Sequence, residues 1–185
     1  MTRQDHASPV EPVGTKPQSF KGQGIKGALY STEERHRRDE SVWTIVQGVL
    51  APLQFVVFLG SLFLVLRSLF TGEGAFAADI SIILKTLILY TIMVTGSIWE
   101  KVVFGKWLFA PAFFWEDVFS MLVLALHTAY LVMLLGGYGE FEARMMVALA
   151  GYAAYVINAG QFLLKLRAAR LEAASISSDS RAVLA

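Results

Sequence analysis

The sequence predicts an all-α integral membrane protein of four transmembrane helices, both termini cytoplasmic, with a disordered N-terminal tail. Three observations predict it. Only 17% of the 185 residues are charged and 55% are hydrophobic, whereas soluble domains carry roughly 25% charge. Stretches 42–66, 80–98, 118–135 and 145–164 hold a single formally charged side chain, Lys85. Each is close to the roughly 20 residues that cross a hydrocarbon core at about 1.5 Å per residue. Finally, the N-terminal segment carries seven Lys and Arg, the middle connection Lys101 and Lys106, and the chain from Lys165 onward four. The other two connections offer only Arg67 and Arg144, so the positive-inside rule puts both termini and the middle connection in the cytoplasm.

Composition also excludes classes. A net charge of +1 gives no nucleic-acid footprint. Zero cysteine removes disulfides, thiolate metal sites and cysteine nucleophiles. The chain outside the spans is too short for a second globular domain.

Residues 1–30 are polar and aperiodic, and they read as a disordered cytoplasmic tail without the apolar core of a signal peptide. Residues 31–170 form the membrane domain, with spans at about 42–66, 80–98, 114–135 and 144–164, and 171–185 is a flexible tail. Ser31 and Glu34 have capping-box spacing, and the charges from Glu33 to Asp39 suit a short helix before the first span.

The first span places Gln47, Gln54 and Ser61 on one face, with Pro52 between them, a pattern that reads first as a helix seam held by amide hydrogen bonds. Lys85, near the outer end of the second span, is expected to snorkel to the interface and is given no chemistry. The fourth span offers Tyr155, Asn158 and Gln161 above Lys165, while Gly151, Ala154 and Gly160 allow close helix approach. No internal repeat supports an inverted-repeat transporter.

The densest chemical signal is WEKVVFGKWLFAPAFFWEDVFSM, residues 99–121. It joins Glu100, Glu116 and Asp117 to Lys101, Lys106 and the aromatics Trp99, Phe104, Trp107, Phe109, Phe113, Phe114 and Trp115. An interfacial aromatic belt accounts for such a composition. So does a mouth where a flat aromatic substrate is sandwiched beside desolvated carboxyls. His127, the one histidine inside a span, lies eleven residues after Glu116, only about 20° away around the helix and about 16 Å along it. Glu116, Ser120, His127 and Tyr130 therefore form one polar stripe, and intramembrane ionisable groups are functional candidates. A histidine satisfied by a neighbouring helix is the alternative. One such histidine cannot build a bis-histidine haem between two spans of one chain.

The run IMVTGSIWEKVVFGKWLFAPAFFWEDVFSMLVLALHTAYL, residues 92–131, resembles the central signature of the 2-vinyl bacteriochlorophyllide hydratases, also called chlorophyllide a 3-vinyl hydratases. The segments VWTIVQGVLAPLQFVVFLGSLFLVLR at 42–67 and YAAYVINAGQFLLKLRAAR at 152–170 extend the resemblance over about residues 30–170. The resemblance implies addition of water across the 3-vinyl group of chlorophyllide a or a related precursor, giving a 3-(1-hydroxyethyl) group in bacteriochlorophyll biosynthesis. It further implies a multi-pass protein of the bacterial cytoplasmic or intracytoplasmic membrane without a redox cofactor, magnesium entering only with the substrate.

Hydration of a vinyl group needs a proton for the terminal carbon, stabilisation of the adjacent cation, and deprotonation of the attacking water. Glu116, Asp117 and Glu100 are the candidate acids, and Glu116 is favoured because His127 shares its helical line. His127 either ligates the substrate magnesium axially or activates water. Trp99, Phe113, Phe114 and Trp115 would flank the ring, Lys101 or Lys106 would meet the propionate, and Ser120, Tyr130, Asn158 and Gln161 complete the candidate substrate contacts. The partners expected are the tetrapyrrole, membrane lipid, and a second copy or other pigment-synthesis enzymes, with no nucleic acid. A non-catalytic pigment-binding or assembly protein is the competing reading.

Overall fold

Two turns too short to do anything but reverse direction fold the chain into antiparallel hairpins. In the computed structural model, which describes residues 29–183, α1 spans Thr32–Glu40, α2 Val42–Thr71, α3 Ala75–Phe104, α4 Phe114–Gly136 and α5 Phe141–Val183. No strand occurs among the described residues. Gly72 to Gly74 reverses α2 into α3, and residues 137–140 reverse α4 into α5. The connection at 105–113 is longer and lies at the opposite end of the bundle, beside α1, an end called the mouth below.

Helices α2, α3, α4 and the Phe141–Leu171 part of α5 are each long and apolar enough to cross a membrane. Their outward faces agree: Ile45, Val49, Phe63, Leu84, Val94, Val132 and Leu163 are all exposed. A continuous apolar surface of that kind suits lipid rather than water. The helices extend past the sequence-predicted spans by several residues, because Arg67, Asp79 and Glu100 are accommodated in continuing helix. The expected disordered tail falls almost wholly on residues 1–28, outside the described residues. Its last member, Tyr30, is instead buried, stacking on Phe104 at 5.7 Å between centroids. At the other end, helix continues to Val183, where the sequence predicts a flexible segment after 170.

The capping box forms as expected: the Ser31 amide donates to Glu34 Oε2 at 2.8 Å, and the Glu34 amide to Ser31 Oγ at 3.2 Å. It starts α1, whose Arg37 Nε donates to the Val103 carbonyl at 2.9 Å and so ties the helix to the end of α3.

Inside the bundle, short polar contacts hold the register. Gln47 donates to Thr95 at 2.7 Å, and Ser61 bonds both Ser81 at 2.7 Å and Tyr152 at 2.6 Å. Asn158 donates to Ser120 at 2.8 Å, and Tyr130 to Asp79 at 2.5 Å. Interhelical bonds of this kind average about 0.6 kcal/mol each in membranes. Gln47 and Ser61 thus perform the predicted seam role. Gln54 does not: it is 1% exposed, and neither amide atom has a hydrogen-bond partner. Lys85 also departs from expectation. It is fully buried instead of snorkelling, because its side chain turns inward among Phe58, Tyr152 and Tyr155, with Nζ 5.8, 5.3 and 4.3 Å from their ring centroids.

Candidate active site

Helix geometry alone brings carboxylates to the mouth. Glu100 stands in the penultimate turn of α3, Glu116 and Asp117 in the first turn of α4, and the 105–113 connection folds back over all three. Each is only 5–6% exposed. Gly105, at φ 77°, ends α3, and the chain then reaches Phe109 at φ 58°, the one non-glycine residue with positive φ among those described. A bulky residue held there stores strain of order 1–3 kcal/mol, and such strain clusters at functional sites. Here it aims two successive amides inward. Phe109 N–H donates to Asp117 Oδ2 at 2.7 Å, and Ala110 N–H donates to Glu100 Oε2 at 3.2 Å. The two carboxyl groups are thus held side by side, accepting from successive amides of one connection.

Glu116 has a different partner. Its Oε2 receives a 2.6 Å hydrogen bond from Lys165 Nζ, which also donates to the Ala112 carbonyl and sits 4.7 Å from the Phe113 ring centroid. The carboxylate the sequence favours as acid is therefore the counter-charge of a lysine on α5. Position 165 is legible in sequence as a cation ending the fourth span, but the pairing crosses 49 residues and leaves no local signal.

The aromatics separate into two groups. Phe113 is buried with Tyr30, Trp99, Phe104 and Phe162, its ring 5.5–6.3 Å from theirs. Trp99 is held there by an indole hydrogen bond to Thr44 at 3.0 Å. Phe114 and Trp115 turn outward and, with Phe109, form an exposed panel: Phe109 to Phe114 is 5.8 Å and Phe114 to Trp115 is 5.6 Å. Phe113 therefore does not share a surface with Phe114 and Trp115, because it is buried in the inner cluster while they are exposed. Trp107 is exposed nearby, 6.0 Å from Lys101 Nζ, which donates to the Gly105 carbonyl. Lys106 is exposed.

Above the mouth the predicted polar stripe of α4 is buried throughout. His127 Nδ1 bonds the Val123 carbonyl at 2.8 Å. A carbonyl only accepts, so Nδ1 carries the hydrogen and the neutral ring presents its lone pair at Nε2, a buried atom without a partner. Gly151 makes room for this ring, for a Cβ there would lie 2.9 Å from His127 Cε1. Tyr130 lies farther still from the mouth, its hydroxyl engaged by Asp79, an acid outside the spans read from sequence. Among the described residues no cluster of His, Asp or Glu is arranged to hold a metal ion.

The sequence model of 2-vinyl bacteriochlorophyllide hydratases matches residues 30–168. The chain belongs to the 2-vinyl bacteriochlorophyllide hydratase family. It is 69% identical over 148 residues to the 2-vinyl bacteriochlorophyllide hydratase of Rhodobacter capsulatus, covering 80% of this chain and 86% of that protein. It is 67% identical over 144 residues to the protein of the same name from Cereibacter sphaeroides, covering 78% of this chain and 89% of that one. No solved structure matches the chain. The hydratase match opens at Tyr30, the first buried residue among those described, and spans the whole mouth.

Proposed function

We propose that this chain adds water across the 2-vinyl group (3-vinyl in the numbering used above) of a bacteriochlorophyllide-type substrate. The reading is supported by two relatives that bear that name at 67–69% identity. Its mechanism rests on one arrangement, the buried carboxyls of Asp117 and Glu100 accepting from the successive amides of Phe109 and Ala110, with the exposed rings of Phe109, Phe114 and Trp115 nearby.

Two carboxyl groups buried side by side hold one proton between them in this reading, since neighbouring like charges away from water do not both ionise readily. That proton is the acid the reaction needs. The macrocycle lies on the panel, with its vinyl edge toward the pair and its propionate toward Lys101 or Lys106. The pair gives its proton to the terminal vinyl carbon: the π bond breaks, a C–H bond forms, and the adjacent carbon becomes a cation conjugated with the ring. The remaining carboxylate charge stabilises that cation. Water oxygen then forms the C–O bond, and its proton returns to the pair, which is regenerated. The chemistry calls for no cofactor of the protein's own, the magnesium arriving with the substrate.

In this reading the mouth faces the cytoplasm, following the Lys and Arg distribution, and the membrane is the bacterial inner or intracytoplasmic one. Neighbouring pigment-synthesis enzymes or a second copy pass substrate along the bilayer. Membranes containing the chain, supplied with substrate in heavy-oxygen water, should yield a product heavier by one labelled water and absorbing at shorter wavelength. Substrate recovered unchanged but co-purifying with the protein would favour a pigment-binding role and overturn the hydratase reading.

A further inference from the structure

Between the mouth and His127 lies a set of polar atoms that the reaction above does not use. Gln161 Oε1, Asn158 Oδ1, both amide atoms of Gln54, Lys85 Nζ and His127 Nε2 are buried, and none has a hydrogen-bond partner. Gln54, Lys85 and His127 are at most 1% exposed. A buried polar group left unpaired costs about 1–3 kcal/mol, more if charged, so six such atoms in one bundle call for a common partner.

The helix register shows that they form a column. His127 abuts Gly151 on α5. Tyr152 and Tyr155 carry Lys85 Nζ over their rings. Asn158 follows one turn on, then Gln161, then Lys165 with Glu116 at the mouth. On α2, Ser61 meets Tyr152 and Phe58 meets Tyr155. Three residues back along α2 thus advance three along α5, and Gln54, one turn before Phe58, falls level with Asn158. From Gly151 to Lys165 the column is about 21 Å long, at 1.5 Å per residue.

The chemistry of the atoms selects the occupant. Lys85 Nζ and the Gln54 amide nitrogen donate, whereas Gln161 Oε1, Asn158 Oδ1, Gln54 Oε1 and His127 Nε2 accept. An anion would suit the donors and be repelled by four lone pairs, and a cation would suit the acceptors but meet the N–H groups of Lys85 and Gln54. Only a small molecule that both donates and accepts serves every position. We propose that a file of buried water molecules runs from the mouth carboxylates through Gln161, Asn158 and Gln54 to Lys85 and His127. Buried waters of globular proteins typically make about three such bonds each. The file itself stands on the unpartnered atoms. Its role, supplying water and carrying protons between the carboxyl pair and the His127 lone pair, rests on the hydratase reading.

Radiolytic hydroxyl labelling of the full chain in lipid nanodiscs tests the file without any substrate, because radicals generated from bound water oxidise side chains that bulk solvent cannot reach. Tyr152 and Tyr155, 2% and 9% exposed, should be labelled in the native protein. The labelling should fall several-fold in the Gln54→Leu, Asn158→Leu double variant, or in Gln54→Leu alone if the double variant does not fold. Unlabelled tyrosines in the native protein, or labelling unchanged in the folded variant, would overturn the file. In an active preparation the same variant should lose kcat while KM holds. Retained kcat with lost labelling would overturn the supply role, and a native protein that is labelled yet inert would instead count against the hydratase reading.

Discussion

Asp117 accepts a 2.7 Å hydrogen bond from the amide of Phe109, a residue whose backbone sits at φ 58°. That link sets the mouth: strain in the connection is exchanged for an amide aimed at a buried carboxyl, and the next amide reaches Glu100. Phe109→Asn tests the arrangement, since asparagine tolerates the left-handed region and keeps the N–H. The variant should fold at least as stably in detergent and retain kcat while KM rises, because only the panel ring is lost. A collapse of kcat with KM unchanged would show that the ring, rather than the amide, organises the carboxyls.

Glu116 and Lys165 should behave as a structural pair. Removing one partner of a buried ion pair costs about 3–5 kcal/mol, whereas replacing both with apolar residues is often close to neutral. Because Lys165 is partly exposed, the lower end of that range applies to Glu116→Gln. Thermal midpoints should fall in Glu116→Gln and recover in the Glu116→Leu, Lys165→Met variant, and equal destabilisation by single and double variants would remove the pair from the account.

Much of this arrangement was legible in sequence, and the reason is periodicity. Four charge-poor stretches marked the spans, Ser31 and Glu34 marked the start of α1, and the eleven-residue spacing of Glu116 and His127 placed both on one buried face. What escaped were pairings across the bundle. Nothing local to residue 165 says that it meets Glu116, and nothing local to Lys85 says that it turns inward to three rings rather than outward to the interface. The outward turn of Phe114 and Trp115 follows from where α4 begins, a boundary that the aromatic run itself conceals.

Gly151 should prove intolerant of a side chain. A Cβ there meets His127 at 2.9 and 3.0 Å, while Gly160 has nothing within 4 Å. Hydration rates should fall on the order of tenfold in Gly151→Ala, corresponding to a displacement cost of about 1.4 kcal/mol, and remain unchanged in Gly160→Ala. Equal activities would show that the position of His127 is immaterial.

Packing of Tyr30 against the mouth should weaken in alkali. Burial pushes the Tyr30 phenol above its ordinary value of 10.0, a shift opposed by Arg38, whose guanidinium carbon lies 4.7 Å from the ring centroid. A raised folded-state value means that the neutral phenol stabilises the fold fully below pH 10 and that this contribution is lost as pH climbs through the folded value. Thermal midpoints of the native protein should therefore drop more steeply above pH 10 than those of Tyr30→Phe, and parallel curves would contradict the assignment.

The Glu100–Asp117 pair is the proposed source of the proton for vinyl hydration. The most direct test of this role is single-turnover hydration by membrane preparations of Glu100→Gln, Asp117→Asn and Glu116→Gln, each at matched folded protein. Hydrated product should be lost in the first two variants, with substrate still bound, and chemistry retained in the third. Product formed at the native rate by Glu100→Gln and Asp117→Asn, with Glu116→Gln inert, would contradict it.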